Sequence, residues 1–152
     1  MKVLSLDPGH STGYSVFEDG QYEVSGHIYN KDDLVKIKDL MKEHAPDVII
    51  IEKFALYPWK AQHKVWDTFP EVEAIGVIKF LAGEWGIPVV IQTPSQKDFF
   101  NNKMIQELCG DKLDSTHAYD AVRHVLVYYT FGGGKTYGYG NDFLRRVQSS
   151  NR

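Results

Sequence analysis

Cysteine is almost absent from this sequence: Cys109 is the only one in 152 residues. One thiol cannot close an internal disulfide, and no ladder of Cys and His spacings outlines a zinc site. That usage fits a reducing compartment, so a cytoplasmic location is expected. Long hydrophobic runs are missing too. The opening stretch Met1 to Leu6 reaches Asp7 after a short apolar run, too short for a signal-peptide core, and no segment approaches membrane-spanning length. No membrane association is therefore expected. Basic excess is also lacking, since the net charge is −3. Wholesale coating of nucleic acid leaves a basic footprint, so any such contact must be local. No Ser-His-Asp set, dinucleotide fingerprint or Walker loop is present. Gly132-Gly133-Gly134-Lys135-Thr136 lacks the Walker spacing and follows no strand, so no nucleotide cofactor is expected.

What is present suits one self-folding domain: 43% hydrophobic and 24% charged residues are near the globular norm. Lys2 to Leu6 reads as a strand stopped by Asp7-Pro8-Gly9, and Tyr14 to Phe17 as a second. Asp19-Gly20 supplies a hairpin turn into a third strand on which Tyr22, Val24 and Ile28 are apolar. Asn30 is the expected N-cap of a helix carrying Leu34, Ile37, Leu40 and Met41, ended by Ala45-Pro46. Val48 to Ile51 is an unbroken apolar strand ending at Glu52. A second helix starts near Pro70, with Val72, Ile75, Ile78, Leu81, Ala82 and Trp85 on its packed stripe and Gly86 at its end. Pro88 to Ile91 reads as another buried strand. Thr93-Pro94-Ser95 opens a mixed, mainly helical region, and a last helix runs from Ser115 to Thr130. The expectation is an α/β domain over residues 1–131, with a mixed five-stranded sheet of three antiparallel then two parallel strands flanked by helices. Residues 132–152, rich in Gly and Tyr, form a tail expected to be partly flexible.

Asp7 and Glu52 each end a central strand, where open α/β sheets present side chains to a ligand crevice. Asp-Pro-Gly could equally be only a turn, and Glu52 only a solvated strand end. The two acids together, with a third group at the start of the last helix, shift the balance. On that helix His117, Asp120 and His124 share one side, while Ala118, Ala121, Val122, Val125 and Tyr129 supply the packed side. Asp114 is better placed to cap the helix than to ligate. Asp7, Glu52 and Asp120 make a hard-oxygen set suited to Mg²⁺, with Mn²⁺ as a substitute. A pair of such ions about 3.5–4 Å apart can activate water and stabilise the leaving oxygen in phosphodiester cleavage.

These residues carry a resemblance. Leu4-Ser5-Leu6-Asp7-Pro8-Gly9-His10-Ser11-Thr12-Gly13 resembles the opening motif of the RuvC-type Holliday-junction resolvases. Val48-Ile49-Ile50-Ile51-Glu52-Lys53-Phe54 looks like their second motif, Thr93-Pro94-Ser95 like the segment after their fifth strand, and His117-Ala118-Tyr119-Asp120-Ala121 like their closing motif. The resemblance implies a ribonuclease H-like fold and a homodimer that cuts two strands of a four-way DNA junction, with a Mg²⁺-dependent site in each subunit. It implies Asp7, Glu52 and Asp120 as ligands, and His117 either as a fourth ligand or as the group that positions or deprotonates the attacking water. The family often has a basic stretch before the last helix. Here Lys97, Lys103 and Lys112 are offset by Asp98, Glu107, Asp111 and Asp114, a departure closer to the smaller phage-encoded relatives, whose location would be the host cytoplasm.

Between 53 and 69, Lys53, Lys60 and Lys64 are interleaved with Phe54, Tyr57, Trp59, Trp66 and Phe69. Cations there can grip phosphate while aromatics stack on unpaired bases; alternatively, several of the aromatics fill the core or a dimer interface. By analogy with the family, Phe54 is the base-wedging candidate. Arg145 and Arg146 either add a phosphate contact or belong to a solvated tail. Competing readings are another nuclease of the same fold (a ribonuclease H, a YqgF-like RNA nuclease or a terminase nuclease) and an inactive DNA-structure binding module. The sugar kinase and actin ATPase group needs two such domains, which 152 residues with one motif cannot form.

Overall fold

The computed structural model describes residues 1–56 and 68–131. The chain opens with three antiparallel strands, β1 (Lys2–Asp7), β2 (Ser11–Glu18) and β3 (Gln21–Tyr29). Helix α1 (Val35–His44) crosses over to β4 (Val48–Glu52), and α2 (Pro70–Glu84) precedes β5 (Val89–Gln92). A 3₁₀ segment (Pro94–Phe99), α3 (Asn102–Cys109) and α4 (Thr116–Phe131) complete the described chain. The strands lie in the order β3-β2-β1-β4-β5, with β4 parallel to both β1 and β5. The expected mixed sheet is thus present. No described helix is long and apolar enough to cross a membrane.

Alternation along the strands assigns the two faces. Leu4, Leu6, Ile49 and Ile51 pack with Ile37, Leu40 and Met41 of α1 and Ala74, Ile78 and Ala82 of α2. Val3, Phe17 and Ile50 pack with Val122, Val125, Leu126 and Tyr129 of α4. Side chains two residues apart share a face, so Ser5 and Asp7 follow Val3 onto the α4 side, and Glu52 follows Ile50. Ile50 is fully buried, and truncating such a residue to alanine costs about 2–5 kcal/mol.

Small residues let α4 come close. Asp7 pairs with Gly13 and Ser5 with Ser15 across β1 and β2, while Ala118 and Ala121 are fully buried on the helix. A Cβ on Gly13 would stand 2.1 Å from the backbone carbon and oxygen of His117, so only glycine admits the helix there. The Asp19-Gly20 turn has positive φ at both positions, 50° and 82°, the conformation that Asp-Gly favours in hairpins.

Four local expectations change. The last strand, β5, is an edge strand rather than a buried one, with Ile91 exposed. Asn30 does not cap α1, whose N-cap is Leu34. It is buried instead, with its side chain accepting from the Thr12 N–H and donating to the Gly9 carbonyl, so it ties the loop after β1 to the end of β3. At the start of α4, Ser115 Oγ accepts the His117 N–H while Asp114 faces His27 at 3.3 Å. Val72 and Trp85 are exposed rather than packed, because α2 buries only its Ala74-Ile78-Ala82 edge against the sheet.

Candidate active site

Leu6 pairs with Ile51 in parallel register, so the next residues, Asp7 and Glu52, leave neighbouring strand ends side by side. Helix α4 crosses the same face and brings His117, Asp120 and His124 over them. His117 Nδ1 lies 2.6 Å from Asp7 Oδ2. His124 Nε2 lies 2.7 Å from Glu52 Oε2. The four expected site residues, Asp7, Glu52, His117 and Asp120, therefore meet at one end of the sheet.

Three further side chains complete the arrangement. Lys97, on the 3₁₀ turn after β5, places Nζ 2.9 Å from Glu52 Oε2 and 2.6 Å from Asp120 Oδ2. Arg123 donates to Asp120 Oδ1 at 2.5 Å and to the Phe100 carbonyl at 2.7 Å, and also reaches Asn102. Gln92 pairs with Glu52 across β4 and β5, so both side chains rise on the same face with His124 between them. Asp7 Oδ1 and Glu52 Oε1 make no hydrogen bond among the described residues.

The electrostatics follow from burial and these partners. Burial pushes the Asp7 carboxyl above its ordinary range, against the hydrogen bond from His117. His117 is raised in turn, first by that hydrogen bond. Burial would raise Glu52 as well, but hydrogen bonds from His124 and Lys97 outweigh it and hold the carboxyl low. Burial opposes the charge on Lys97, yet its bonds to Asp120 and Glu52 lift its pKa to about 12.

A small cavity of about 50 Å³ lies beside Asp7 and Glu52, lined also by Pro8, Lys53, Phe54, Glu71 and Ile75. Phe54 is half-buried with its ring 5.5 Å from that of Phe69, and Lys53 is exposed. Tyr57, Trp59, Lys60, Lys64 and Trp66 lie outside the described residues, as do Arg145, Arg146 and the rest of the tail.

The donor set fits a hard divalent cation in chemistry: three carboxylates, one of them desolvated and two with an unoccupied oxygen. Among the described residues, no group of three His, Cys, Asp or Glu side chains is already gathered around an ion position. The Lys97 ammonium stands between Glu52 and Asp120, where it neutralises two acids that would otherwise repel one another.

A structure of Thermus thermophilus RuvC in complex with Holliday-junction substrate superposes with a TM-score of 0.68 at 17% identity, over 90% of this chain and 97% of that one. This chain has the RuvC fold. A second Thermus thermophilus RuvC structure gives 0.64 at 17% identity, over 87% of this chain and 97% of that one. The fowlpox virus Holliday junction resolvase gives 0.61 at 15%, over 84% and 97%. No protein-family model matches the sequence, and no curated protein matches it significantly.

Sequence reasoning counted Lys97 only as one charge in a mixed stretch and left Gln92 unremarked. It placed His124 on the polar side of the helix, whereas the ring is fully buried. A signal for Gln92 exists: it is the polar residue ending an apolar strand, as Glu52 does on β4. Lys97 has no periodic signal, because a 3₁₀ turn directs it; the turn begins where the Gln96 side chain accepts from the Thr93 N–H.

Proposed function

We propose that this chain is a Mg²⁺-dependent, structure-selective endodeoxyribonuclease that cleaves phosphodiester bonds in four-way or other branched DNA, acting in recombination or the processing of replication intermediates. The observation that carries the reading is the convergence of Asp7, Glu52 and Asp120 from β1, β4 and α4 on one end of the sheet. Carboxylates are poor company for DNA phosphates, and such a gathering is costly to keep without a cation. The RuvC fold supports the choice of branched DNA over other substrates of this chemistry. The reading includes a homodimer, which presents two sites to the two strands of a junction.

In this reading Asp7, Glu52 and Asp120 would hold two Mg²⁺ ions, or Mn²⁺ in their place, which would supply an activated water and charge neutralisation at the scissile phosphate. The other steps belong to the chain. His117, nearly half exposed and bonded through Nδ1 to Asp7, is at hand either to join the ligands or to accept a proton from water, with Asp7 stabilising the imidazolium. Lys97 compensates Glu52 and Asp120 when no ion is there and is free to turn to a phosphate when one is. Phe54 lines the cavity beside Asp7 and Glu52, where an aromatic ring can enter between unstacked bases. Lys53 next to it, with Tyr57, Trp59, Lys60 and Lys64, forms the remainder of the proposed DNA contact.

The test is cleavage of labelled four-way junction, branched duplex, linear duplex and RNA/DNA hybrid side by side, with Mg²⁺ and with chelator. The expected result is Mg²⁺-dependent cutting confined to the branched DNAs. Exclusive cutting of the hybrid, or undiminished cutting in chelator, would sink the reading.

A further inference from the structure

The fully buried imidazole of His124 has no place in the chemistry above. Gln92 Nε2 donates to the His124 carbonyl at 3.1 Å. Turning that amide over would set two oxygens against each other, so Gln92 Oε1 must be the atom that faces His124 Nδ1, at 2.7 Å. An amide oxygen only accepts, hence Nδ1 carries a hydrogen. The other ring nitrogen lies 2.7 Å from Glu52 Oε2, so the ring spans from the amide to the carboxylate. Gln92 is 4% exposed and His124 0%, so water cannot substitute for either partner, and both side chains are held by packing as well as by bonds.

We infer that Gln92 and His124 are positioning residues for Glu52: the amide locks the imidazole, and the imidazole holds Glu52 by Oε2, turning Oε1 toward the crevice for the divalent ion. The inference rests on the metal-site reading above. Two features distinguish this contact from the one made by Lys97. The Lys97 ammonium meets the same oxygen, Oε2, but bridges it to Asp120 Oδ2 from a partly exposed, flexible stem that can leave. His124 is fully buried in the core and cannot be exchanged for an ion. Its effect is therefore to orient the ligand rather than compete for it. A histidine at this point is also costly unless it is used, since an imidazole in a dry core without its partners leaves polar atoms unsatisfied, whereas Val125 and Leu126 beside it fill the core at no such cost. Partners of this kind behind metal ligands typically change affinity or activity by about 10–100-fold when removed.

The experiment is Mn²⁺ binding followed by electron paramagnetic resonance on the full chain, without DNA, with thermal melts of each variant alongside. His124→Leu should weaken Mn²⁺ at least about tenfold, and His124→Gln, which keeps a donor near the Nε2 position, should stay within about threefold. An affinity for His124→Leu equal to or tighter than wild type overturns the inference, as does a His124→Gln variant that falls as far as leucine. Should His124→Leu fail to fold, Gln92→Leu decides: about tenfold weaker binding supports the inference, and unchanged binding overturns it. Wild type that binds no Mn²⁺ refutes the metal-site reading itself. In that event the metal-free protein still tests the lock, because the His124 Nδ1–H should give a slowly exchanging proton signal that Gln92→Leu abolishes. Absence of that signal from wild type overturns the lock.

Discussion

Replacing Lys97 by methionine keeps the length of the stem and removes the charge between Glu52 and Asp120. Two carboxylate oxygens then lose the cation at 2.9 and 2.6 Å. The pKa of Lys97 rises from 10.5 to about 12 in the fold, a difference of about 2 kcal/mol at about 1.4 kcal/mol per pH unit. Nζ keeps some access to water, the side chain being 20% exposed, and screening reduces the value to about 1 kcal/mol. The sign follows from the raised pKa. The contribution is complete below 10.5 and is lost only as pH climbs through about 12, so it is constant across the neutral range. Arg123 still serves Asp120 and His124 still serves Glu52, which bounds the damage. The expected outcome for metal-free Lys97→Met is a melting temperature lower by about 3 °C, given about 2–4 °C per kcal/mol for a chain of this size. Mg²⁺ should more than restore it. The ion no longer displaces an ammonium, and about 1 kcal/mol corresponds to about fivefold tighter binding. Thermal melts over a Mg²⁺ series, for both proteins, measure both quantities. If Mg²⁺ stabilises Lys97→Met no more than wild type, the idea that Lys97 stands in the ion's place is refuted.

Other outcomes follow from the same geometry. Asp7→Asn should reduce Mg²⁺-dependent junction cleavage by at least about 10²–10³-fold while leaving junction binding unchanged or tighter, because a negative charge facing DNA is removed; gel-shift and cleavage assays on one preparation check both. The Asp7–His117 pair gives the metal-free protein a pH dependence. Both groups are raised, Asp7 by burial and His117 by its bond to Asp7, so each stabilises the fold below its unfolded value and loses that contribution as pH rises through its folded value. Melts on either side of pH 6.5 should show stability falling on the alkaline side, and His117→Gln should flatten that fall. Gly13→Ala sets a Cβ 2.1 Å from the His117 backbone, so the start of α4 must move. We expect about 1–3 kcal/mol of lost stability together with lost cleavage, read by chemical denaturation and the junction assay; an active, equally stable variant would show that the helix start tolerates displacement.

Much of the site was legible because its signals are local. An acid at the end of an apolar strand, twice over, and an Asp three residues after a His at a helix start can be read without knowing what packs where. The face on which each acid emerges follows from alternation along β1 and β4, and the sheet order then sets Asp7 beside Glu52. Asn30 misled for a related reason. Asn before an apolar-periodic run is a good cap by local rules, but the buried loop after β1 had a carbonyl and an N–H to satisfy, and the long-range bonds to Gly9 and Thr12 took the side chain.

The sequence alone determined the order of strands and helices, the packed side of α4, and the three acids with His117, since each depends on periodicity, turn chemistry or position within one element. Tertiary structure decided which side chains face those acids and hold one another in place around them. Lys97 reaches Glu52 across 45 residues and Asp120 across 23, and His124 meets Gln92 across 32. No local pattern specifies such distances. They come from a 3₁₀ turn folding back over the strand ends and from a helix pressed against Gly13, and only there does a pattern of Lys and His come to surround the carboxylates.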